Sequence, residues 1–171
     1  MEVVTLRSAR EVMIRPIRPD DADRLRAAHD RLSPETKYRR FLAPKPHLSA
    51  LETRYLVDVD GSTHYALVAT AVGHPERIIA VGRFVRLPED PDTAEFAIVV
   101  GDPYHREGLA TELVGRLADA AAARGVARFR ATMLAENVAA QRLVRRLAGS
   151  GARHRRRGIV DELDIKLPLA S

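Results

Sequence analysis

The sequence predicts an α+β fold in which a mixed, mostly antiparallel sheet of about six or seven strands is flanked by helices. Three observations lead to this prediction. Apolar residues alternate with a period of two over short segments in the middle of the chain, as in strands. Turns rich in glycine and proline separate those segments, which favours antiparallel neighbours. A helical period then lies between two further alternating segments, which indicates a parallel strand–helix–strand unit.

The first part of the chain predicts one strand and three short helices. The β-branched run at 12–17 contains Pro16, which favours an edge or terminal strand because proline cannot donate to a ladder. Residues that favour helix N-termini mark the three helices. These are Asp20-Asp21 for the first helix, Ser33-Pro34 for a helix through Phe41, and the capping box Ser49-Ala-Leu-Glu52 for a helix through about Val57.

The rest of the chain predicts strands and then alternating helices and strands. Apolar residues four apart begin at Leu109 and end before Arg124-Gly125, where glycine favours the C-terminus of a helix. A second amphipathic helix follows Asn137, and the basic run 153–157 is expected to form an exposed hairpin loop. The expected strands are 65–72, 77–87, 94–100, 126–134 and 161–168. We expect one domain over residues 1–171.

Composition excludes several classes of protein. Of the 171 residues, 46% are hydrophobic and 30% are charged, which is typical of a globular chain and not of a disordered one. The absence of cysteine excludes a disulfide scaffold and thiolate metal sites, and the six scattered histidines predict no metal site. No apolar stretch approaches the ~20 residues that span a bilayer, and no signal peptide is recognisable, so we expect a cytoplasmic protein without a membrane partner.

The net charge of +5 comes from one region of the chain. Seven arginines and no carboxylate lie between Asn137 and Gly158. Without these seven, 21 basic residues remain against 23 acidic ones. Such a local patch is consistent with a small multivalent anion, with a solvated face or with nucleic acid. Nucleic acid is the less favoured partner because the patch Arg142–Arg157 contains no aromatic residue on which bases could stack.

The segment 94–111 contains the strongest candidates for ligand-binding and catalytic residues. A strand runs through a polar turn into a helix whose first turn contains Gly108 and the small Ala110. The first N–H groups of a helix lack internal partners and lie at the positive end of its dipole, so a phosphate can bind there. The alternative is an ordinary strand-to-helix turn with a packing glycine. Glu95 is the sole charged residue of the preceding strand, which makes it a candidate functional carboxylate or a solvated strand-end glutamate.

This segment resembles the acetyl-CoA-binding motif of the GNAT N-acetyltransferase superfamily. The resemblance extends from about residue 12 to 168. It rests on His105, Gly108 and Ala110 after a strand ending in Val100, on Arg124-Gly125-Val126, on Ala135-Glu-Asn137-Val-Ala-Ala140, and on Arg15-Pro-Ile-Arg-Pro-Asp-Asp-Ala22. It implies a GNAT-like fold, acetyl-CoA as acyl donor, and direct transfer of the acetyl group to an amine.

The resemblance also implies a set of site residues. Glu95 would be the general base, and the backbone amides of Ile98, Val99 and Val100 would hold the pantetheine arm and polarise the thioester carbonyl. The pyrophosphate would bind at His105, Arg106, Glu107, Gly108, Leu109, Ala110 and Thr111, and further cofactor contacts would come from Asn137 and Ala140. For Arg142, Arg145 and Arg146 a solvated face is favoured over a phosphate contact.

The first half of the chain resembles a narrower branch, the GNAT domain of bacterial Pat-type protein lysine acetyltransferases. The similar segments are 32–42, 58–60 and 66–69. This resemblance implies a protein lysine as one acceptor, and small-molecule amines remain open.

Two positions depart from the family pattern. Val144 occupies the position where the family often has a general-acid tyrosine, so water or another group would protonate the leaving thiolate. Glu107 lies in the phosphate loop, where a carboxylate opposes a bound phosphate. It therefore supports an alternative function, a non-catalytic CoA-binding or regulatory module.

Overall fold

The computed structural model describes residues 1–169, which form a sheet of eight strands and five α-helices. In chain order the elements are β1 (Glu2–Thr5), β2 (Glu11–Pro16), α1 (Ala22–Asp30), α2 (Pro34–Phe41), α3 (Ala50–Val57), β3 (His64–Ala71), β4 (His74–Leu87), β5 (Asp90–Val100), α4 (Leu109–Ala122), β6 (Arg128–Leu134), α5 (Val138–Ala148), β7 (Arg153–Arg157) and β8 (Val160–Lys166). None of the helices within residues 1–169 is both long and apolar enough to cross a membrane.

The strand order is β1-β2-β3-β4-β5-β6-β8-β7, and β5/β6 is the parallel pair among otherwise antiparallel neighbours. The predicted fold class is confirmed, with eight strands in place of six or seven. The additional strands are β1, which has four residues, and β7, which was expected to be a loop. All five residues of β7 are polar and exposed, so the sequence shows no apolar alternation that would predict a strand. The segment is a strand because it pairs with β8.

The sequence predicts that the strand containing Pro16 is an edge or terminal strand. In the structure it is not at the edge of the sheet, because β1 lies beyond β2. The N–H of Ile17 donates to Ala66 O on the β3 side, so the N–H position of Pro16 faces β1. β1 pairs only with residues 11–14 of β2 and does not reach Pro16. The missing donor therefore costs no ladder bond.

The two faces of the sheet carry separate cores. On one face α4 packs Leu113 and Leu117 among Phe84, Phe96 and Phe129. On the other face α1 and α3 bury apolar side chains against β3 and β4. A Cβ on Gly82 would lie 2.7 Å from Ile98 Cδ1 and 2.9 Å from Leu117 Cδ1, so glycine permits this close approach of α4 to the sheet.

Two of the predicted helix N-termini are confirmed by their cap bonds. Ser33 accepts from Thr36 N at 3.2 Å, and Ser49 forms the expected capping box with Glu52. The pair Asp20-Asp21 instead forms a 3-10 turn before α1. The Asp21 side chain makes no cap bond to that helix and binds Arg15 in the interior.

The parallel pair β5/β6 separates part-way along its length. The register joins Thr93–Phe96 to Arg128–Ala131 and ends there. β5 continues to Val100 paired with β4, and β6 continues to Leu134 paired with β8. Among residues 1–169, the facing edges of 97–100 and 132–134 are therefore without a strand partner. This separation opens a cleft at the end of β5 from which α4 begins.

Candidate active site

The cleft has a volume of about 710 Å³ and lies where β5 and β6 separate. Its walls come from both strands, from the N-terminus of α4, from α5 and from α2. All but one of the site residues implied by the resemblance line it. They are Glu95, Ile98, Val99, Val100, His105, Arg106, Gly108, Leu109, Ala110, Thr111, Asn137 and Ala140. The fold thus brings together segments that are 45 residues apart in the chain.

The N-terminus of α4 presents backbone donors to the cleft. Gly108 is the N-cap residue with φ of +89°, a conformation that favours glycine, and no side chain within residues 1–169 caps the helix. The first helical bond runs from Glu112 N to Gly108 O, and the N–H groups of 108–111 have no protein acceptor among the described residues. These four donors lie at the positive end of the helix dipole, an arrangement that favours binding of an anion.

His105 fixes the loop that leads to this helix. Its Nε2 lies 2.8 Å from Val100 O, and because a carbonyl oxygen only accepts, Nε2 carries the proton. The bond ties the loop to the end of β5. The next residue, Arg106, adopts φ of +63°. The His105 side chain therefore holds the loop against β5 just before the free N–H groups.

The charge of the lining fits a polyanion. The lining contains five arginines, Arg7, Arg39, Arg40, Arg106 and Arg146. Among residues 1–169 it contains one carboxylate, that of Glu95. Arg146 donates to Thr111 Oγ1 at 2.8 Å, which holds its guanidinium beside the helix N-terminus. Free N–H groups, positive charge and an unpaired strand edge for an extended arm together fit acetyl-CoA.

Sequence reasoning missed part of this lining. Arg7 comes from the N-terminal hairpin, and Arg39 and Arg40 come from α2. Nothing in a single sequence indicates that these segments approach the phosphate loop. Conversely, Arg146 of the basic patch lines the cleft, whereas Arg142 and Arg145 are exposed outside its lining, in agreement with a solvated face.

Glu95 lies at one end of the cleft, just before β5 and β6 separate. It pairs with Val85 of β4 and Arg130 of β6, and its side chain is exposed. The neighbouring Phe96 points to the opposite face, into the α4 core. Burial lowers the pKa of Arg40, and the charge of Glu95 partly opposes that shift. A carboxylate in the lining with one arginine nearby is placed to accept a proton.

Glu107 is the one implied residue whose side chain does not line the cleft. Its carboxylate accepts from Ser8 N at 2.8 Å and lies 3.0 Å from Arg10 Nη2, so it binds the N-terminal hairpin. These donors, first of all the Ser8 backbone N–H, lower the pKa of Glu107. The Glu107 carboxylate is therefore turned towards the N-terminal hairpin, and Arg10 balances its charge, so it does not oppose a bound phosphate. Glu107 thus no longer supports the alternative function of a non-catalytic module.

Asn137 performs the capping role that its position predicts. Its Oδ1 accepts from Ala140 N at 3.2 Å at the start of α5. Both residues also line the cleft. Val144, one turn later, is 3% exposed and apolar, so this position offers no proton donor to the cleft.

Replacing Gly108 with alanine is expected to weaken acetyl-CoA binding about five- to thirty-fold. A Cβ there meets no atom closer than Arg7 Nε at 3.9 Å, so the effect is conformational. A left-handed L-residue costs about 1–2 kcal/mol, and a loop that relaxes in the free protein must be restored on binding. Calorimetric titration measures this. The control is Gly115→Ala in α4, where a Cβ meets nothing within 4 Å and the dissociation constant should be unchanged.

Replacing Glu107 with glutamine is expected to change the acetyl-CoA dissociation constant less than twofold and to lower the melting temperature. The carboxylate holds the N-terminal hairpin and does not point at the phosphate site. Titration at low and high salt, with a thermal melt of each variant, tests both parts. Tighter binding that fades with salt would show that the charge does act on the bound phosphates.

The comparisons with known proteins agree with this geometry. The Acetyltransferase (GNAT) domain model matches residues 11–149. Acetyltransferase Pat of Mycolicibacterium smegmatis is 35% identical over 163 residues, covering 95% of this chain and 48% of that protein. Acetyltransferase PA5475 of Pseudomonas aeruginosa is 33% identical over 124 residues, covering 72% of this chain and 66% of that protein.

Among solved structures, the GNAT domain of S. lividans PAT superposes with a TM-score of 0.87 at 31% identity, covering 97% of this chain and 96% of that one. The chain thus spans about half the length of the M. smegmatis relative and nearly all of the S. lividans domain. The resemblance seen in the sequence is confirmed: the chain belongs to the GNAT acetyltransferase family.

Proposed function

We propose that the protein transfers an acetyl group from acetyl-CoA directly to a primary amine, with Glu95 as general base. The observation that carries this proposal is the order of groups along the cleft. A carboxylate lies at one end, the unpaired edge of β5 follows, and the free N–H groups of α4 lie at the other end. This is the order in which amine, thioester and phosphates are required.

The cofactor end of the cleft binds and orients. When bound, acetyl-CoA supplies an acetyl group activated as a thioester. The N–H groups of 108–111 and the guanidinium groups of Arg7, Arg106 and Arg146 hold the phosphates. Backbone N–H groups on the open edge of 97–100 donate to the extended arm and to the carbonyl oxygen on which charge develops.

In this proposal Glu95 removes the proton that keeps the acceptor amine from attacking the thioester. An alkyl amine with a pKa near 10.4 is neutral in only about one molecule in 2,500 at pH 7, equivalent to roughly 4.6 kcal/mol. A carboxylate that removes the proton, directly or through one water, offsets much of this cost. The exposed side chain of Glu95 leaves room for that water.

Direct transfer follows from the residues available. The chain contains no cysteine to carry an acyl group. Since Val144 supplies no hydroxyl, the departing thiolate takes its proton from water or from another group of the cleft. The amine therefore attacks the thioester within a ternary complex, and no acetyl-enzyme forms.

The acceptor class is an amine, and a protein lysine is the acceptor that the resemblance to Pat-type domains implies. The test is release of thiol from acetyl-CoA in the presence of an amine panel, with mass spectrometry of the products. The panel contains lysine peptides, ω-amino acids, polyamines and amino sugars. Amine-dependent thiol release supports the proposal, and tight acetyl-CoA binding without acetylated product for any amine overturns it.

A further inference from the structure

A second cavity adjoins the cleft at the C-terminal end of α2. It has a volume of about 310 Å³ and lies between the sheet and helices α1, α2 and α3. Its walls are mostly apolar, for example Leu25, Leu56 and Val81. We call it the arginine pocket after the four arginines that line it, Arg31, Arg40, Arg77 and Arg83. Arg40 and Phe41 line both cavities, so the two are neighbours.

Arg83 is a buried cation that no carboxylate neutralises. It is 6% exposed, and none of the carboxylates of residues 1–169 lies within ion-pair distance of it. Its Nη1 donates to Leu56 O at 3.0 Å and to His64 Nε2 at 2.9 Å. Because a guanidinium only donates, His64 accepts at Nε2 and is therefore neutral. Burial, and then the charge of Arg83, lower the pKa of His64 to about 4.

The charge of Arg83 persists at neutral pH. Burial, and then the charge of Arg40, lower the pKa of Arg83 to about 9, which still leaves it protonated at pH 7. Arg40 stacks 4.7 Å from the ring of Phe41 and has no ion pair among residues 1–169. Two neighbouring guanidinium groups thus line one mostly apolar pocket, and neither forms an ion pair among residues 1–169.

The other charged groups of the pocket do not neutralise them. Arg31 donates to Ile78 O at 2.9 Å. Asp102 supplies the carboxylate of the pocket lining within residues 1–169. It accepts hydrogen bonds from Ser33 Oγ at 2.7 Å and Thr36 Oγ1 at 2.8 Å and so fixes the start of α2. The arginine pocket therefore keeps a net positive charge.

Such a pocket favours one ligand chemistry. A buried charge without a partner is costly, and a carboxylate placed against it removes the cost through charge-assisted bonds. The apolar walls favour a short hydrocarbon body next to that carboxylate. A volume near 300 Å³ is at the small end of ligand sites, so it suits a small molecule or one side chain.

The sheet register relates the pocket to the general base. Arg83 of β4 pairs with Ala97 of β5, and Glu95 lies two residues along β5 on the same face. Such diagonal neighbours lie about 7–8 Å apart, and their Cβ atoms are somewhat closer. Arg40 lines the arginine pocket together with Arg83 and the cleft together with Glu95. A ligand whose carboxylate meets Arg83 can therefore present an amine to Glu95.

We propose that the arginine pocket binds a carboxylate of the acceptor, so that the enzyme selects amines that carry a carboxylate a short apolar chain away. This inference rests on the proposed function and deepens it. The carboxylate can belong to a free ω-amino acid or to an acidic residue beside a peptide lysine. Both sources present the same group to Arg40 and Arg83.

The test compares two acceptors that differ in charge alone, 6-aminohexanoate and 6-aminohexanamide, at saturating acetyl-CoA. We expect kcat/KM to favour the carboxylate at least tenfold, since a charge-assisted bond contributes that much. A second pair, the blocked dipeptides Glu-Lys and Gln-Lys, distinguishes the two sources. A preference in either pair supports the proposal, and equal kcat/KM within both pairs overturns it.

Variants then locate the preference. Arg83→Gln should bring the ratio of the two kcat/KM values to within about twofold of one, and Arg83→Lys should retain part of the preference. Arg142→Gln, on the exposed face of α5, should leave the ratio unchanged. Arg40→Gln provides a second variant if Arg83→Gln melts too low to assay. A purely structural role for Arg83 would lower stability and leave the ratio intact, which would refute the assignment.

A binding measurement separates failure of this proposal from failure of the proposed function. Hexanoate should raise the melting temperature of the wild type more than hexanamide does, and Arg83→Gln should lose the difference. If acetyl-CoA binds but no amine is acetylated, the catalytic proposal fails while hexanoate stabilisation still supports the pocket. If hexanoate and hexanamide act alike in an active enzyme that shows no acceptor preference, the pocket is not a carboxylate site.

Discussion

Replacing Glu95 with glutamine is expected to lower kcat about 100-fold or more at pH 7 and to leave acetyl-CoA affinity within twofold. Glutamine keeps the size of the side chain but cannot accept the ammonium proton, and a positioned base contributes about 10²–10⁴-fold. Glu95 lies on the edge of the cleft and is exposed, so its neutralisation should not disturb the core. Steady-state kinetics across pH 6–10 and calorimetric titration measure the two effects.

The pH profile distinguishes a base from a residue that binds the acceptor. As pH rises towards the pKa of the amine, more acceptor arrives neutral and the difference between wild type and Glu95→Gln should shrink. Glu89→Gln, an exposed glutamate at the β4–β5 turn outside the cleft lining, is the matched control and should be fully active. An unchanged kcat/KM for Glu95→Gln over the whole range would assign the base to another group.

Replacing Asp21 with alanine is expected to lower the free energy of unfolding by about 3–5 kcal/mol, the range for breaking a buried ion pair. Arg15 binds both carboxylate oxygens of Asp21 at 2.7 Å, and the N–H of Arg18 donates to Oδ2 at 2.9 Å. Asp21 is fully buried and Arg15 is 7% exposed, so the substitution leaves an unpaired guanidinium in the interior. Urea denaturation at pH 7 measures the loss.

The same ion pair makes stability fall in acid. Burial alone raises the pKa of Asp21, but the bonds from Arg15 and from the backbone of Arg18 outweigh it, so the pKa is lowered overall. A lowered pKa contributes stability above the unfolded value near 3.9, and this contribution is lost as pH falls through the folded value. Asp23→Ala, which removes an exposed pair with Arg26, should cost little at any pH. Equal losses for the two variants would mean that the Arg15 pair contributes no more than a surface one.

The sequence by itself determined most of the elements and one end of the site. Ser33, Ser49 and Asn137 cap the helices that they were expected to begin, because capping depends on neighbours within three residues. Gly108 and Ala110 marked the helix N-terminus that lines the cleft for the same reason, since a helix N-terminus and its glycine are consecutive in the chain. The family pattern added Glu95.

The tertiary structure alone decided the features that depend on residues far apart in sequence. From the sequence, the Glu107 carboxylate is expected to oppose a bound phosphate. In the structure the N-terminal hairpin brings Ser8 and Arg10 to that carboxylate, and both bind it. The basic run of β7 becomes a strand only because β8 pairs with it. Arg40 and Arg83 each look like ordinary arginines, and it is the packing of α2 and α3 on the sheet that buries Arg83 and places both in one pocket. Local patterns fix capping and periodicity, whereas burial and charge pairing are set by contacts that no local pattern encodes.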